Sequence, residues 1–95
     1  MDREKEMQAF ARLLDIMDTL REKCPWDRKQ TFESLRPQTI EETYELCDAV
    51  LAGDMKNISK ELGDVLLHIV FYAKNFSLIY HSFYFLSITL PQFSL

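Results

Sequence analysis

The sequence predicts an all-α domain, on three observations. Only two glycines and three prolines occur in 95 residues, too few turn residues for a many-stranded sheet protein. Apolar residues recur at helical spacing along the charged part of the chain. Hydrophobic residues make up 47% and charged residues 27%, the balance of a globular chain rather than a disordered one. This length suits one small domain, which buries only about two thirds of its unfolded surface, so partners or ions matter to its stability.

The first helix is expected over about residues 4–22, where Phe10, Leu13, Leu14, Met17 and Leu20 share a face. Pro25 stops it, and CPWDRKQT reads as a connecting loop or short turn, followed by a short helical piece around residues 32–35. A second long helix is expected from about Pro37 to Leu51, with Gly53 at its end. Its Ile40, Tyr44, Cys47 and Leu51 form one apolar stripe, with Glu41, Glu45 and Asp48 to one side and Glu42 further round. Asp54 is a good N-cap for the next helix, with Asn57 and Ser59 as alternatives. From Leu62 to Ala73 that helix is apolar nearly all round, so burial nearly all round is expected.

The net charge is −4, and no basic cluster suits a nucleic-acid backbone. Cys24 and Cys47 have no metal-ligand spacing, and the charged N-terminus is not a signal peptide, so a reduced, cytoplasmic protein is expected. Every Lys, Arg, Asp and Glu lies in residues 1–74. The chain therefore divides into a helical domain, 1–74, and an uncharged apolar tail, 75–95. That break has the look of a truncated or frameshifted reading frame. Alternatively, Phe76 to Leu90 is a helix or strand that docks on a partner subunit. A membrane span is disfavoured, because His68, Lys74, Asn75 and His81 interrupt the apolar run and the third helix is needed in the bundle.

The acids carry the chemistry. TIEETYELCDA holds Glu41, Glu42, Glu45 and Asp48, and on the next helix Glu61, Asp64 and His68 fall on one narrow stripe at i, i+3 and i+7. Unpaired carboxylates are costly to bury, and these helices offer few basic partners. Two helices that each present a carboxylate pair can converge into an all-oxygen site, the kind Mg²⁺ or Mn²⁺ prefers. Taken singly, each residue has a simpler reading. Glu42 could close a capping box begun by Thr39, Glu61 could be a first-turn acid, Glu41 and Asp48 could be solvated, and His68 could be a satisfied core histidine. Jointly, EExxE followed by ExxD on consecutive helices is more specific.

CPWDRKQTFESL, TIEETYELCDAV and KELGDVLLHIVFYAK together resemble the MazG family of nucleoside triphosphate pyrophosphohydrolases, over about residues 10–74. The resemblance implies a MazG-like helical bundle completed by oligomerisation, as a homodimer or larger. It implies Mg²⁺-dependent hydrolysis of nucleoside triphosphates to a monophosphate and pyrophosphate, with Mn²⁺ as an alternative ion. Glu41, Glu42 and Glu45 match the first motif of the family, and Glu61 and Asp64 the second. Glu42, Glu45, Glu61 and Asp64 are the implied metal ligands, with Glu41 a supporting or water-orienting acid. Lys74 is the nearest basic candidate for the phosphates. Trp26 is a candidate near the base or at the dimer interface, or else plugs the core. Beyond Lys74 the family's polar stretch and basic helix are replaced by the apolar tail, which leaves a second reading: a catalytically weak helical interaction module that retains the acids.

Overall fold

In the computed structural model, which describes residues 2–75, 84–86 and 88, four helices follow one another: α1 (Arg3–Lys23), α2 (Pro25–Lys29), α3 (Phe32–Ala52) and α4 (Met55–Asn75). The all-α prediction holds, and no strand occurs among the described residues. The docking segment expected over Phe76 to Leu90 lies outside the described residues, apart from 84–86 and 88.

Side chains at the helix ends set these boundaries. Asp2 Oδ1 accepts from the Glu4 and Lys5 amides at 3.0 and 3.3 Å and caps α1, whose first turn is acidic and last turn basic, as the helix dipole favours. The segment expected as a loop contains a five-residue helix instead, because Pro25 occupies the first helical position, where its missing N–H costs nothing. The second long helix also begins earlier than Pro37. Thr31 and Ser34 cap it reciprocally, with Ser34 N to Thr31 Oγ1 at 3.1 Å and Thr31 N to Ser34 Oγ at 2.8 Å, so the short piece around 32–35 is its first turn. Pro37 is carried inside α3, at the loss of one backbone bond near the exposed start of the helix.

At its other end α3 closes on Gly53, in the left-handed region at φ 69°, and the Asp54 amide reaches back to Ala49 O. Asp54 Oδ1 then accepts from Asn57 N at 3.2 Å and starts α4. Only two residues separate the helices, so they form a hairpin. The pairs that meet, Thr39 with Tyr72 and Glu45 with Glu61, run in opposite directions along the chain, so the hairpin is antiparallel.

α1 lies across this hairpin. Met17, Leu35, Val70 and Phe71, all at most 3% exposed, form the centre, with Phe10, Leu13, Leu14, Leu67 and Tyr72 packed against it. Arg21 ties α2 into place: its Nη1 donates to Asp27 O at 2.6 Å and Gln30 O at 3.3 Å, and its guanidinium lies 5.7 Å from the Phe71 ring centre.

Two expectations of burial fail. The core-facing side of α3 is Leu35, Thr39, Glu42, Leu46 and Ala49, whereas the apolar stripe of Ile40, Tyr44, Cys47 and Leu51 points outward, with Leu51 88% exposed. On α4 the burial expected nearly all round is one-sided: Leu62, Leu66 and Ile69 are exposed on a common stripe, because α1 and α3 cover only the remainder.

Met17, 1% exposed, is the point where α1 meets the hairpin core. Met17→Ala is expected to lower unfolding stability by about 2–5 kcal/mol, the usual cost of emptying such a site. Urea titration followed by circular dichroism measures it; a change below about 1 kcal/mol would contradict this packing.

Candidate metal centre

The acids meet across the seam between α3 and α4. Glu42 lies on the core side of α3 and Glu61 faces it from α4, its side chain only 7% exposed. Among the described residues, Glu42, Glu45 and Glu61 each offer one carboxylate oxygen within 4.8 Å of the others. Neither single-residue reading of these two acids survives. The capping box belongs to Thr31 and Ser34, so Glu42 caps nothing. Glu61 stands in the second turn of α4, beyond the acid-favouring first turn.

Buried Oε2 atoms of Glu42 and Glu61 have no hydrogen-bond partner among the described residues. Burial raises the pKa of the Glu42 carboxyl, and the charges of Asp64 and Glu61 raise it further against the opposing pull of Lys60. Glu45 is raised first by the charge of Glu42, then by burial and by Glu61 and Glu41. Such a cluster holds more negative than positive charge, with Lys60 as its one basic neighbour among the described residues. Three carboxylate oxygens this close to one another would suit a divalent ion that prefers oxygen ligands, such as Mg²⁺. The donor set and its orphaned oxygens fit a hard divalent cation.

The remaining candidates sit differently. Asp64 is outside the 4.8 Å cluster, and its Oδ2 pairs with Lys60 Nζ at 3.1 Å. That lysine also reaches Glu61 Oε1 at 3.3 Å, and hydrogen bonding to Asp64, then to Glu61, raises its pKa. Glu41 and Asp48 are exposed on α3. Lys74 pairs with Asp18 on α1 at 2.9 Å, ten residues and so about 15 Å along the helix beyond Asp64; the structure does not bring it to the acids. Trp26 is 54% exposed, so it does not plug the core; it borders an apolar cavity of about 100 Å³ that Asp27 and His68 also line.

A polar cluster that sequence reasoning missed adjoins the acids. Thr39 Oγ1 lies 2.7 Å from His68 Nδ1 and 2.6 Å from Tyr72 Oη, and donates to Leu35 O at 3.2 Å. The hydroxyl has one proton to donate among these three contacts, so the direction of the His68 and Tyr72 bonds is set by the histidine tautomer and the phenol orientation. Burial lowers the His68 pKa, with Asp64 opposing, so the ring is a satisfied neutral histidine at neutral pH. Its only advance signal was a histidine one turn after Asp64 on the same stripe.

Carboxyls with a raised folded-state pKa contribute stability that is complete below the unfolded value, near 4.5 for glutamate, and disappears as pH rises through the folded value. His68, lowered from 6.5, contributes oppositely: its share is present above 6.5 and lost as pH falls through its folded value. In chelator-treated protein, Glu42→Gln is therefore expected to raise the melting temperature at pH 7, with the gain shrinking towards pH 4.5. Melting curves at the two pH values test this; a gain that is the same at both would exclude electrostatic strain at Glu42.

Comparison with known proteins bears on the same residues. A family model described as the MazG nucleotide pyrophosphohydrolase domain matches residues 30–79. The chain is 48% identical over 71 residues to a nucleoside triphosphate pyrophosphohydrolase of Escherichia coli (strain K12), covering 72% of this chain and 27% of that protein. It is 52% identical over 67 residues to the nucleoside triphosphate pyrophosphohydrolase/pyrophosphatase MazG of Thermotoga maritima, covering 68% of this chain and 26% of that protein. A nucleoside triphosphate pyrophosphohydrolase of Mycolicibacterium smegmatis is 49% identical over 72 residues, 73% of this chain and 22% of that protein. The chain thus spans about a quarter of the length of these curated relatives. The matched segment takes in α3, α4 and every acid of the cluster, and on these grounds the chain belongs to the MazG nucleotide pyrophosphohydrolase domain family.

Proposed function

We propose that the chain is a Mg²⁺-dependent nucleoside triphosphate pyrophosphohydrolase that cleaves the α–β phosphoanhydride bond to give a nucleoside monophosphate and pyrophosphate. The observation that carries this is the buried, orphaned pair of oxygens on Glu42 and Glu61 within a cluster short of positive charge. In this reading Glu42, Glu45, Glu61 and Asp64 hold the ion, with Mn²⁺ as a substitute. A divalent ion bound there neutralises polyphosphate charge and lowers the pKa of a water it binds.

Chain residues supply the rest. Exposed Glu41, one residue from the cluster, orients the attacking water. The half-buried rim of α3 and α4 limits bulk water around the phosphates. The hydrogen bonds of Thr39 with His68 and Tyr72 hold the two helices in register, so the acids stay opposed. Trp26, exposed at the mouth of the apolar cavity, offers a face to the base. Lys74 reaches the phosphates only if it leaves Asp18. Two exposed apolar stripes, one carrying Ile40, Tyr44 and Leu51 and the other Leu62, Leu66 and Ile69, support a homodimer or larger assembly. No helix among the described residues is long and apolar enough to cross a membrane, and a cytoplasmic enzyme acting on free nucleotides accords with this. The separation of Lys74 from the acids favours one competing reading, a helical interaction module that keeps the acids without turnover.

Purified protein incubated with Mg²⁺ and each nucleoside triphosphate is expected to release pyrophosphate, and Asp64→Ala to lose most of that release. Release no greater than from Asp64→Ala would reject the enzyme and leave the interaction module. Light scattering after size exclusion is expected to give at least twice the 11.3 kDa chain mass; a clean monomer would count against self-association.

A further inference from the structure

Lys60 is the one basic side chain inside the acidic cluster among the described residues, and its position is unusual for an exposed lysine. Its side chain is 66% exposed, yet its Nζ bridges two carboxylates, Glu61 Oε1 at 3.3 Å and Asp64 Oδ2 at 3.1 Å. An exposed pair of this kind ordinarily contributes little. Here one partner is Glu61, 7% exposed, whose other oxygen has no donor among the described residues. The ammonium therefore supplies the positive charge nearest to a carboxylate that water barely reaches. Glu42 feels it too, since Lys60 opposes the upward push on its proton affinity, as does its hydrogen bond with Glu45.

An ammonium and a divalent ion cannot both hold the same carboxylate oxygens. Beside Lys60 the start of α4 leaves an open hollow of about 240 Å³, walled by Asp54, Lys56 and Asn57, with room for a four-carbon side chain to withdraw. The lysine's exposure leaves that movement unobstructed. We infer that Lys60 is an exchangeable counter-cation: it stabilises Glu61 and Asp64 while the site holds no metal, and gives up these carboxylates when a divalent ion arrives. This inference rests on the metal-centre reading above. It adds that the chain carries its own competitor for the ion, one that lowers metal affinity and keeps the metal-free hairpin folded.

Mn²⁺ titration of the full chain, with free ion read from its electron paramagnetic resonance signal, tests this without reference to turnover. Lys60→Met is expected to bind Mn²⁺ about five- to tenfold more tightly than the natural chain, since it removes a unit charge paired to two carboxylates that would hold the ion. Its metal-free melting temperature is expected to fall. Lys60→Arg, which keeps the charge, should stay near the natural affinity. Lys56→Met makes the same change in net charge without touching an acid of the cluster, and should alter affinity by less than about twofold. Unchanged or weaker Mn²⁺ binding by Lys60→Met would overturn the exchange while leaving the metal centre intact. Equal tightening by Lys56→Met would reduce it to a net-charge effect and overturn it as well. If neither the natural chain nor Lys60→Met binds Mn²⁺ better than Glu61→Gln, the metal centre itself is refuted and the exchange falls with it.

Discussion

The constraint on which this structure turns is a glutamate buried at a helix seam with nothing to neutralise one of its oxygens. Glu61 is 5% exposed, Glu42 faces it from α3, and each keeps a buried Oε2 without a hydrogen bond among the described residues. Desolvating a carboxylate costs several kcal/mol unless a partner repays it, and placing two in proximity adds repulsion. A small helical domain has little stability to spare. The arrangement makes physical sense when a cation belongs to the site, and the surrounding contacts can be understood as holding the two helices together in spite of the acids.

Those contacts lie on either side of the cluster. Towards the N-terminal half of α3, Thr39, His68 and Tyr72 join in one hydrogen-bonded group above the apolar centre. At the other end, Gly53 and Asp54 close the hairpin with paired backbone bonds and a side-chain cap. α1 and α2 contribute no acid to the cluster. There Arg21 holds α2 through two carbonyls, and the buried Asp27 stands 3.8 Å from the same guanidinium. Burial raises the Asp27 pKa and Arg21 opposes that rise.

How much of this was legible depended on where apolar and polar signals agreed. α1 was readable almost to its ends, because the apolar periodicity and Pro25 coincide. α4 was readable as a helix capped by Asp54, but a continuous apolar run does not say which side a neighbour will cover, and Leu62, Leu66 and Ile69 remain outside. α3 misled most. Its core stripe includes Thr39 and Glu42, two polar residues that interrupt the pattern, while Ile40, Tyr44, Cys47 and Leu51 present a cleaner stripe that faces outward. The start of α3 was hidden because its cap uses Ser34 in place of the usual glutamate or glutamine, and Pro37 offers a more conspicuous false beginning. For the site, charge spacing pointed to two acidic motifs that include Glu42, Glu45 and Glu61, and the family resemblance chose among their acids. It could not foresee that Lys60 would pair with Asp64 or that Lys74 would be drawn off by Asp18, since ion pairs between helices depend on packing that spacing does not encode.

Because Gly53 and Asp54 alone join α3 to α4, the cluster is a product of local chain. Glu45 and Glu61 are brought together across a short connection, with a small loop-closure entropy and no help from residues far away in sequence. The hairpin can thus form early and as a cooperative unit, before α1 docks on it. An ion held between these helices would couple to the opening of that unit rather than to unfolding of the whole chain. Fraying of α1 would then leave the acids assembled, while slippage along the α3–α4 seam would scatter them at once.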